Sequence, residues 1–474
     1  MGSNALTFIQ VEFLWFFLIV LTLYWGLGRR VWQNGLLVVC SALFYGWVHP
    51  WFLILLYSSA TLDFFVGRQM RRTPKRAARL LILSMCGNLG MLSYFKYAGF
   101  FVENVRGVLV AMGVGADLGT LDIFLPVGIS FYTFQTMSYT IDIYRGKLEP
   151  RRSFIDYLVF VSFFPQLVAG PVERASNLLP QMEKPRTFQW NAMRSGFALV
   201  LWGAFKKVCV ADTIAPYVNK VFVLSDPSGA LVWAATLGFT LQILADFSGY
   251  TDIARGLARM MGFRLMKNFD HPYLSIDPSD FWRRWHISFS TWIRDYVYIP
   301  FGGSRGGFAR STRSTFAAMM LSGLWHGASW TFVLWGSYHA ALLTGYRLVK
   351  PRIPQFIRNL PGSRAAAILL MFAFTVVGWL IFRETHIDRL ARFIVRPPWH
   401  GTPDELVAAT TLLAITTLCA LPLFGAVLFE KTLLPAIRQS RWYLPWQTTL
   451  WALYAVGIFI FVRGSANDFI YFQF

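Results

Sequence analysis

The stretch LTFIQVEFLWFFLIVLTLYWGL, residues 6–27, carries a single charged side chain, Glu12. A bilayer core about 30 Å thick is crossed by roughly 20 such residues in an α-helix. The next residues are Gly28-Arg29-Arg30, not the small residues that precede signal-peptide cleavage. The stretch therefore predicts a first transmembrane helix that is not removed as a signal peptide.

Similar apolar stretches recur along the whole chain. Hydrophobic residues make up 55% of the sequence and charged residues 14%, against roughly 25% charged in a soluble domain. We therefore expect an all-α integral membrane protein with about eleven transmembrane helices, forming one domain over residues 1–474. The predicted spans are Leu6–Leu27, Gly35–His49, Trp51–Gly67, Leu80–Phe101, Leu121–Ile143, Asn191–Val210, Leu231–Phe247, Phe316–Val349, Ala366–Phe382, Val407–Phe429 and Trp446–Val462.

Two apolar stretches do not fit a simple span. Phe154–Gly170 contains Pro165 and ends in Ala169-Gly170-Pro171, a pattern that favours a re-entrant segment buried in protein. Phe316–Val349 is too long for one helix across the bilayer, so it predicts either a broken helix or a hairpin.

The basic residues predict the orientation. The formal net charge of +20 comes largely from short segments between apolar stretches, including Arg29-Arg30, Arg68–Arg79 and Arg145–Arg152. These basic segments alternate with charge-poor loops. Because lysine and arginine prefer the cytoplasmic side of the membrane, we expect the N-terminus to lie on the outer side. Because no basic arm stands on a polar domain, nucleic-acid binding is not expected.

The sequence gives no indication of a metal site. Its four cysteines are far apart and form no C-x-x-C pair. Its seven histidines include no pair spaced i, i+4, as two zinc ligands on one helix would be. Motifs of P-loop ATPases, zinc proteases and serine hydrolases are also missing from the sequence.

The middle of the chain is unusually polar and aromatic for a membrane protein. Examples are ADFSGYTD (245–252), KNFDHPY (267–273) and FWRRWHIS (281–288). Ionisable groups at membrane depth cost several kcal/mol unless they are paired or hydrated. We expect these residues to line a protein interior or a cavity.

His326 lies within the apolar sequence LSGLWHGASW, residues 321–330. Gly323 and Gly327 have the spacing that allows close helix packing. On one continuous helix Ser322, His326, Ser329 and Trp330 share a face. From the residues alone, His326 is equally compatible with a general base and with a buried structural histidine. His339, thirteen residues further on, is expected on the opposite face in a structural role.

His286 and the glycine-rich segment at 302–307 have competing interpretations. The periodicity around His286 favours an interfacial helix in which Trp282 and Trp285 are anchors and the two arginines between them face lipid phosphates. The segment GGSRGG with Arg305 has backbone amides that would suit a phosphate, but it lacks P-loop spacing, and a flexible loop is favoured.

Six motifs follow one another along the chain: PVGISFYTFQ (126–135), FPQLVAGP (164–171), DFSGY (246–250), FWRRWHIS (281–288), YIPFGG (298–303) and LWHGA (324–328). In this order they resemble the membrane-bound O-acyltransferase family, in particular its bacterial branch that acylates exported polysaccharides. The ending FIYFQF, residues 469–474, is also similar to that branch. The resemblance covers about residue 95 to the chain end, with a motif-bearing core at about 121–349.

The resemblance implies a ring of helices around a central tunnel in a bacterial inner membrane. A thioester donor such as acetyl-CoA would enter from the cytoplasm, and an exported polysaccharide from the other side. His326 stands at the family's near-invariant histidine, and His286 at its second polar position. The resemblance therefore implies that both are catalytic.

Acyl transfer to a hydroxyl requires a base, a stabilised oxyanion and the exclusion of water. His326 is the expected base, and His286 or a nearby hydroxyl the expected oxyanion donor. Lys267, Arg294 and Arg305 are candidates, by charge alone, to bind the donor's phosphates. Besides membrane lipids, we expect as partner a periplasmic acetyltransferase or SGNH-type protein that completes transfer, because no soluble domain is evident.

Two other functions remain open from the sequence. One is D-alanyl transfer from a carrier protein to teichoic acid. The other is a non-enzymatic transporter, which discontinuous apolar segments and buried charges also fit, although paired halves are not evident.

Overall fold

The computed structural model describes residues 6–47, 49–114, 119, 123–167, 170–437 and 439–462. Within these ranges the secondary structure consists of helices, and no strand occurs. This confirms the all-α prediction. The chain divides into two compact units, Met1–Phe197 with Ala254–Met266, and Ala198–Ile253 with Lys267–Phe474.

The helices of the first unit come mainly from the N-terminal part of the chain. They are α1 (Val11–Gly26), α2 (Arg30–Gly46), α3 (Phe52–Arg72), α4 (Ala77–Leu92), α5 (Ala98–Ala111), α6 (Ile129–Tyr144), α7 (Phe154–Ser162), α8 (Phe164–Leu167) and α9 (Ala175–Met182).

The next helices include two, α10 and α12, that contribute residues to both units; the others belong to the second unit. They are α10 (Trp190–Phe205), α11 (Asp212–Val223), α12 (Gly229–Met260), α13 (Pro278–Arg284), α14 (Ile287–Ile293), α15 (Gly307–His326), α16 (Trp330–Val349), α17 (Gln355–Asn359), α18 (Ser363–Arg383), α19 (Ile387–Val395), α20 (Pro403–Leu428), α21 (Leu434–Ile437) and α22 (Tyr443–Phe461).

Several helical segments are long and apolar enough to cross a membrane, and the count of eleven stays a prediction. The first predicted span appears as α1, which has 16 residues and is shorter than a full bilayer crossing. The segments with sufficient length and hydropathy are Pro74–Ala111, Gly229–Met260, Ser363–Arg383, Pro403–Ile437 and Tyr443–Phe461.

The stretch predicted to be re-entrant is interrupted, as expected. Helix α7 ends at Ser162, Phe163 leaves the helical conformation, and α8 begins at Phe164. Phe160, Phe163 and Phe164 are fully buried, so the interruption is covered by protein. Val168 and Ala169, like the predicted family ending at 469–474, lie outside the described residues.

The long stretch Phe316–Val349 forms a hairpin, one of its two predicted forms. Its helices α15 and α16 pack with their backbones close together. A Cβ atom on Gly323 would overlap the Phe332 carbonyl, and one on Gly336 would overlap the Met319 carbonyl. Only glycine allows this approach, which fixes the end of α15 against the start of α16.

Candidate active site

His326 is the last residue of α15 and is 4% exposed. Its imidazole is surrounded by aromatic side chains. The ring centroids of Trp325, Trp335, Phe382 and Phe289 lie 5.0, 5.2, 5.3 and 5.5 Å from its own. Packing on these sides excludes water from the ring.

The expected helix face around His326 is only partly correct. Helix α15 ends at His326, and the next helix starts at Trp330, so Ser329 and Trp330 do not continue that face. Ser329 instead caps α16 by accepting from the Thr331 backbone N–H at 3.3 Å. Ser322 does lie one turn before His326, is 1% exposed, and its hydroxyl has no hydrogen-bond partner in the described ranges.

His286 lies between α13 and α14 with φ 43° and ψ 53°, in the left-handed region. In the described ranges only one other non-glycine residue, His271, has a positive φ. This conformation costs on the order of 1–2 kcal/mol, and such strain is concentrated at functional sites. His286 is fully buried, and neither ring nitrogen hydrogen-bonds to another described residue.

The interfacial interpretation of His286 is wrong. Trp285 is 1% exposed and packs against Trp379 at 4.7 Å, so it is not a lipid anchor. The His286 ring packs edge-on against Phe247, also at 4.7 Å. Burial lowers the pKa of His286 far below its ordinary value, so the imidazole is neutral, with one donor and one acceptor nitrogen.

His286 and His326 both pack against the same two aromatic rings, those of Phe289 and Trp325. The centroid of Phe289 is 5.0 Å from His286 and 5.5 Å from His326. That of Trp325 is 6.1 Å from His286 and 5.0 Å from His326. The fold thus brings together the two histidines that the motifs identified 40 positions apart in sequence.

His339 belongs to the same aromatic cluster, which the sequence did not indicate. It lies on α16, not on the helix of His326, and is 2% exposed. Its ring packs on Trp335 at 4.8 Å and is parallel to Phe281 at 5.9 Å. Its structural role remains an interpretation.

A cavity of about 140 Å³ runs beside this cluster. One wall is a face of α15 that includes Thr315, Met319 and Ser322 at spacings of three to four residues. Phe289 lines the cavity and also packs against both histidines, and Ser322 is the lining residue nearest to His326 along α15. The remaining lining residues are Trp282, Ser290, Ile293, Arg294, Tyr298, Ala318, Leu343 and Arg347.

Arg347 is a cavity residue that sequence reasoning missed. Its Nη1 donates to Ser311 Oγ at 2.9 Å and to Thr315 Oγ1 at 3.1 Å. It forms no salt bridge with a described carboxylate. A guanidinium held by neutral hydroxyls in a mostly apolar cavity is suited to bind an anion.

The three predicted phosphate-binding residues differ in position. Arg294 lines the cavity, although it also pairs with Asp295 at 2.7 Å. Lys267 is about half exposed and pairs with Asp270 at 2.7 Å. Arg305 is exposed, in the glycine-rich turn before α15. The structure therefore brings only Arg294 to the cavity wall.

A buried ionic cluster stabilises the helix segment that carries Phe247, a ring of the candidate site. Lys207 Nζ lies 2.7 Å from Asp246 Oδ1 and 2.8 Å from Asp212 Oδ1, and the lysine side chain is 1% exposed. Phe247, which follows Asp246, is the ring that packs on His286. Breaking a buried pair costs ~3–5 kcal/mol, so this cluster holds α12 and Phe247 in place.

The model of the membrane-bound O-acyltransferase family matches residues 148–387. The matched segment contains both histidines, the cavity and the hairpin.

Comparison with known proteins gives the same family. The chain is 41% identical over 381 residues to a "probable alginate O-acetylase" of Azotobacter vinelandii, covering 79% of this chain and 74% of the relative. It is 32% identical over 410 residues to a peptidoglycan O-acetyltransferase of Helicobacter pylori, covering 80% and 76%. It is 30% identical over 275 residues to a teichoic acid D-alanyltransferase of Bacillus subtilis, covering 54% and 68%. With its motifs, helices and buried histidines, the chain belongs to the membrane-bound O-acyltransferase family and is an O-acyltransferase.

Proposed function

We propose that this O-acyltransferase moves an acetyl group from a cytoplasmic thioester toward hydroxyls of an exported polysaccharide, with His326 as the general base. The observation that carries the proposal is the pair of buried histidines around Phe289 and Trp325, beside a cavity that contains two arginines. We infer that the transferred group is acetyl because the relatives that align over about four fifths of the chain are an O-acetylase and an O-acetyltransferase.

In the proposed step, the acceptor oxygen attacks the thioester carbonyl and His326 takes the hydroxyl proton. The C–S bond then breaks, and the leaving thiolate receives this proton from the His326 imidazolium, which returns the base to its neutral form. His326 terminates a helix of 20 residues, and the carbonyl ends of a helix favour a positive charge in its last turn. The aromatic surroundings keep water away from the thioester, which limits its hydrolysis.

The oxyanion of the tetrahedral intermediate needs a hydrogen-bond donor. His286 is the first candidate, because its neutral ring has an N–H and its nitrogens have no other described residue as partner. Ser322 is the second, because its buried hydroxyl lines the cavity one turn from His326.

In this proposal the donor is acetyl-CoA or another acyl thioester, and basic residues bind its phosphates. Arg294 and Arg347 are the candidates that line the cavity. Lys267 and Arg305 remain candidates for contacts outside it. Arginine suits this role because its planar guanidinium binds phosphate oxygens in pairs.

We further propose a multi-pass arrangement in a bacterial inner membrane with the N-terminus outside, from the positions of the basic loops. Access from both faces then needs a tunnel, which stays part of the proposal. A periplasmic acetyltransferase or SGNH-type protein is the proposed partner that completes transfer to the polysaccharide.

D-alanyl transfer from a carrier protein is the second candidate. It is supported by the Bacillus subtilis relative, which is 30% identical but aligns with 54% of this chain. Acetyl transfer is preferred because the alginate and peptidoglycan relatives align over 79% and 80% of this chain.

The test is transfer of radiolabelled acetyl groups from acetyl-CoA to exopolysaccharide by membranes that contain the protein, with a parallel D-alanine arm. His326→Ala is expected to abolish transfer while the protein stays inserted. The matched control is His400→Ala, a histidine that the structure places on the surface. Substantial transfer by His326→Ala would remove His326 as the base, and label appearing only in the D-alanine arm would overturn acetylation.

A further inference from the structure

The first unit contains a basic cleft of about 340 Å³ that the proposed reaction does not use. Four basic side chains line it, and no carboxylate does within the described residues. The four are Lys184, Arg186, Arg259 and Arg264.

None of the four cations forms a salt bridge with a described carboxylate, although Asp156 attracts Arg186 at longer range. The hydrogen-bond partners of Arg186 are neutral. The Arg186 guanidinium donates to Asn34 Oδ1 at 2.6 Å and lies over the Phe263 ring at 4.9 Å. Burial lowers the pKa of this guanidinium. Arg259 and Arg264 repel each other, and an anion bound among the four cations is attracted to all of them.

The residues in and around the cleft are of the types that lie at a membrane surface. Trp25, at the end of α1, lines it and donates from Nε1 to the Met260 carbonyl at the end of α12. Phe188 and Trp190, at the start of α10, are 53% and 68% exposed. Tryptophan and arginine at the ends of apolar helices are typical of the level of lipid headgroups.

An exposed apolar strip leads away from the cleft along α1. Val11, Leu14 and Leu18 are 64%, 54% and 43% exposed. They lie 14, 11 and 7 residues before Trp25, spacings that place them on its face of the helix. A ligand that matches both features has a phosphate at one end and hydrocarbon chains at the other.

We propose that this cleft binds the phosphate headgroup of an anionic membrane phospholipid, whose acyl chains lie along the exposed face of α1. Basic pockets between membrane helices are suited to such headgroups. A soluble phosphate compound would use the same cations but would gain nothing from the apolar strip. This site is independent of the acyl-transfer proposal.

The test compares the full chain in nanodiscs of phosphatidylcholine alone and in nanodiscs that also contain phosphatidylglycerol. Native mass spectrometry reads the retained phosphatidylglycerol, and thermal unfolding reads the shift in Tm. The triple variant Lys184→Gln/Arg259→Gln/Arg264→Gln is expected to bind phosphatidylglycerol on the order of a hundredfold more weakly, since each of the three cations contributes about a fivefold factor in affinity.

The matched control is Lys75→Gln/Arg76→Gln/Arg79→Gln, which removes the same charge from exposed positions of the first unit. It is expected to retain phosphatidylglycerol as the wild type does. Equal loss in both triple variants would mean diffuse attraction and overturn the site, as would unchanged binding by the cleft variant.

Two further measurements keep the proposal testable. Lys184→Gln alone changes an exposed side chain that forms no hydrogen bond or salt bridge with a described residue, so it tests the cleft even if the triple variant does not fold. It is expected to weaken binding severalfold, and unchanged binding would count against the site. Inorganic phosphate or coenzyme A added to phosphatidylcholine nanodiscs is expected to leave Tm unchanged. A rise in Tm equal to that from phosphatidylglycerol would assign the cleft to a soluble phosphate and overturn the lipid.

Discussion

Gly323→Ala tests whether the α15–α16 hairpin positions His326. The added Cβ would overlap the Phe332 carbonyl oxygen and lie 2.9 Å from its carbon. Ordinary contacts of a Cβ atom begin at about 3.4 Å. Because the oxygen is closer to the added Cβ than the carbon is, the two helices must separate by about 1 Å or more at a point one turn from His326.

The expected effect on activity is larger than the effect on stability. Alanine is favoured over glycine inside a helix by ~1 kcal/mol, which offsets part of the ~1–3 kcal/mol cost of overpacking. A displacement of about 1 Å from productive geometry costs ~100-fold in rate. We therefore expect transfer to fall roughly 10- to 100-fold while most of the protein stays folded and inserted.

The assay is labelled acetyl transfer per inserted protein, with Gly345→Ala as the matched control. Gly345 lies on α16, and a Cβ there meets nothing within 4 Å. The control should keep wild-type transfer. If Gly323→Ala transferred as well as Gly345→Ala at equal insertion, hairpin spacing would not position His326.

Three further predictions concern the histidine, the arginine and the topology. His286→Ala should reduce transfer well beyond threefold, which corresponds to ~0.7 kcal/mol of barrier. His286→Asn should keep more of the transfer, because asparagine tolerates the left-handed backbone and has a hydrogen-bond donor. Arg347→Gln should raise the KM for acetyl-CoA about tenfold with little change in kcat. Arg352→Gln, which changes an exposed arginine, should leave the KM unchanged. A tenfold fall in kcat with an unchanged KM in Arg347→Gln would exclude a role of Arg347 in donor binding. Lys75→Cys should resist membrane-impermeant thiol reagents in intact cells, whereas labelling would reverse the proposed orientation.

Two residues that commonly flank helix ends could have predicted where α15 ends and α16 begins. Glycine commonly follows the last residue of a helix, and serine commonly precedes the first. Gly327 and Ser329 have these two positions in the structure. Hydrophobicity alone did not locate the break between the two helices, because periodicity within an apolar stretch does not mark a short turn.

The conformation of His286 could not have been predicted from local sequence. Its surroundings, Trp285 and Ile287, favour regular structure, and nothing nearby requires a left-handed residue. The break between α13 and α14 is tied to distant residues: the Ile287 N–H donates to the Asn268 carbonyl at 2.9 Å, and the imidazole packs on Phe247. Tertiary contacts thus decide where this helix breaks.

Charge alone also could not rank the basic residues. Lys267 is neutralised by Asp270 three positions later, a pairing that the sequence permits but does not require. Arg347 resembles an ordinary flanking residue at the end of an apolar helix. Its role as a cavity residue depends on Ser311 and Thr315 of the neighbouring helix.

Phe289 contacts both histidines and the cavity, and these contacts predict how the enzyme limits hydrolysis. Its ring packs against His286 and His326 and also lines the cavity. Phe289→Leu should admit water next to the base, so hydrolysis of acetyl-CoA should rise relative to transfer. The matched control is Phe281→Leu, a buried ring that packs on Trp285 and does not line the cavity; it should lower both rates together through stability. The two rates are read in one assay as free acetate and labelled polysaccharide. An unchanged ratio in Phe289→Leu would show that this ring does not exclude water from the thioester.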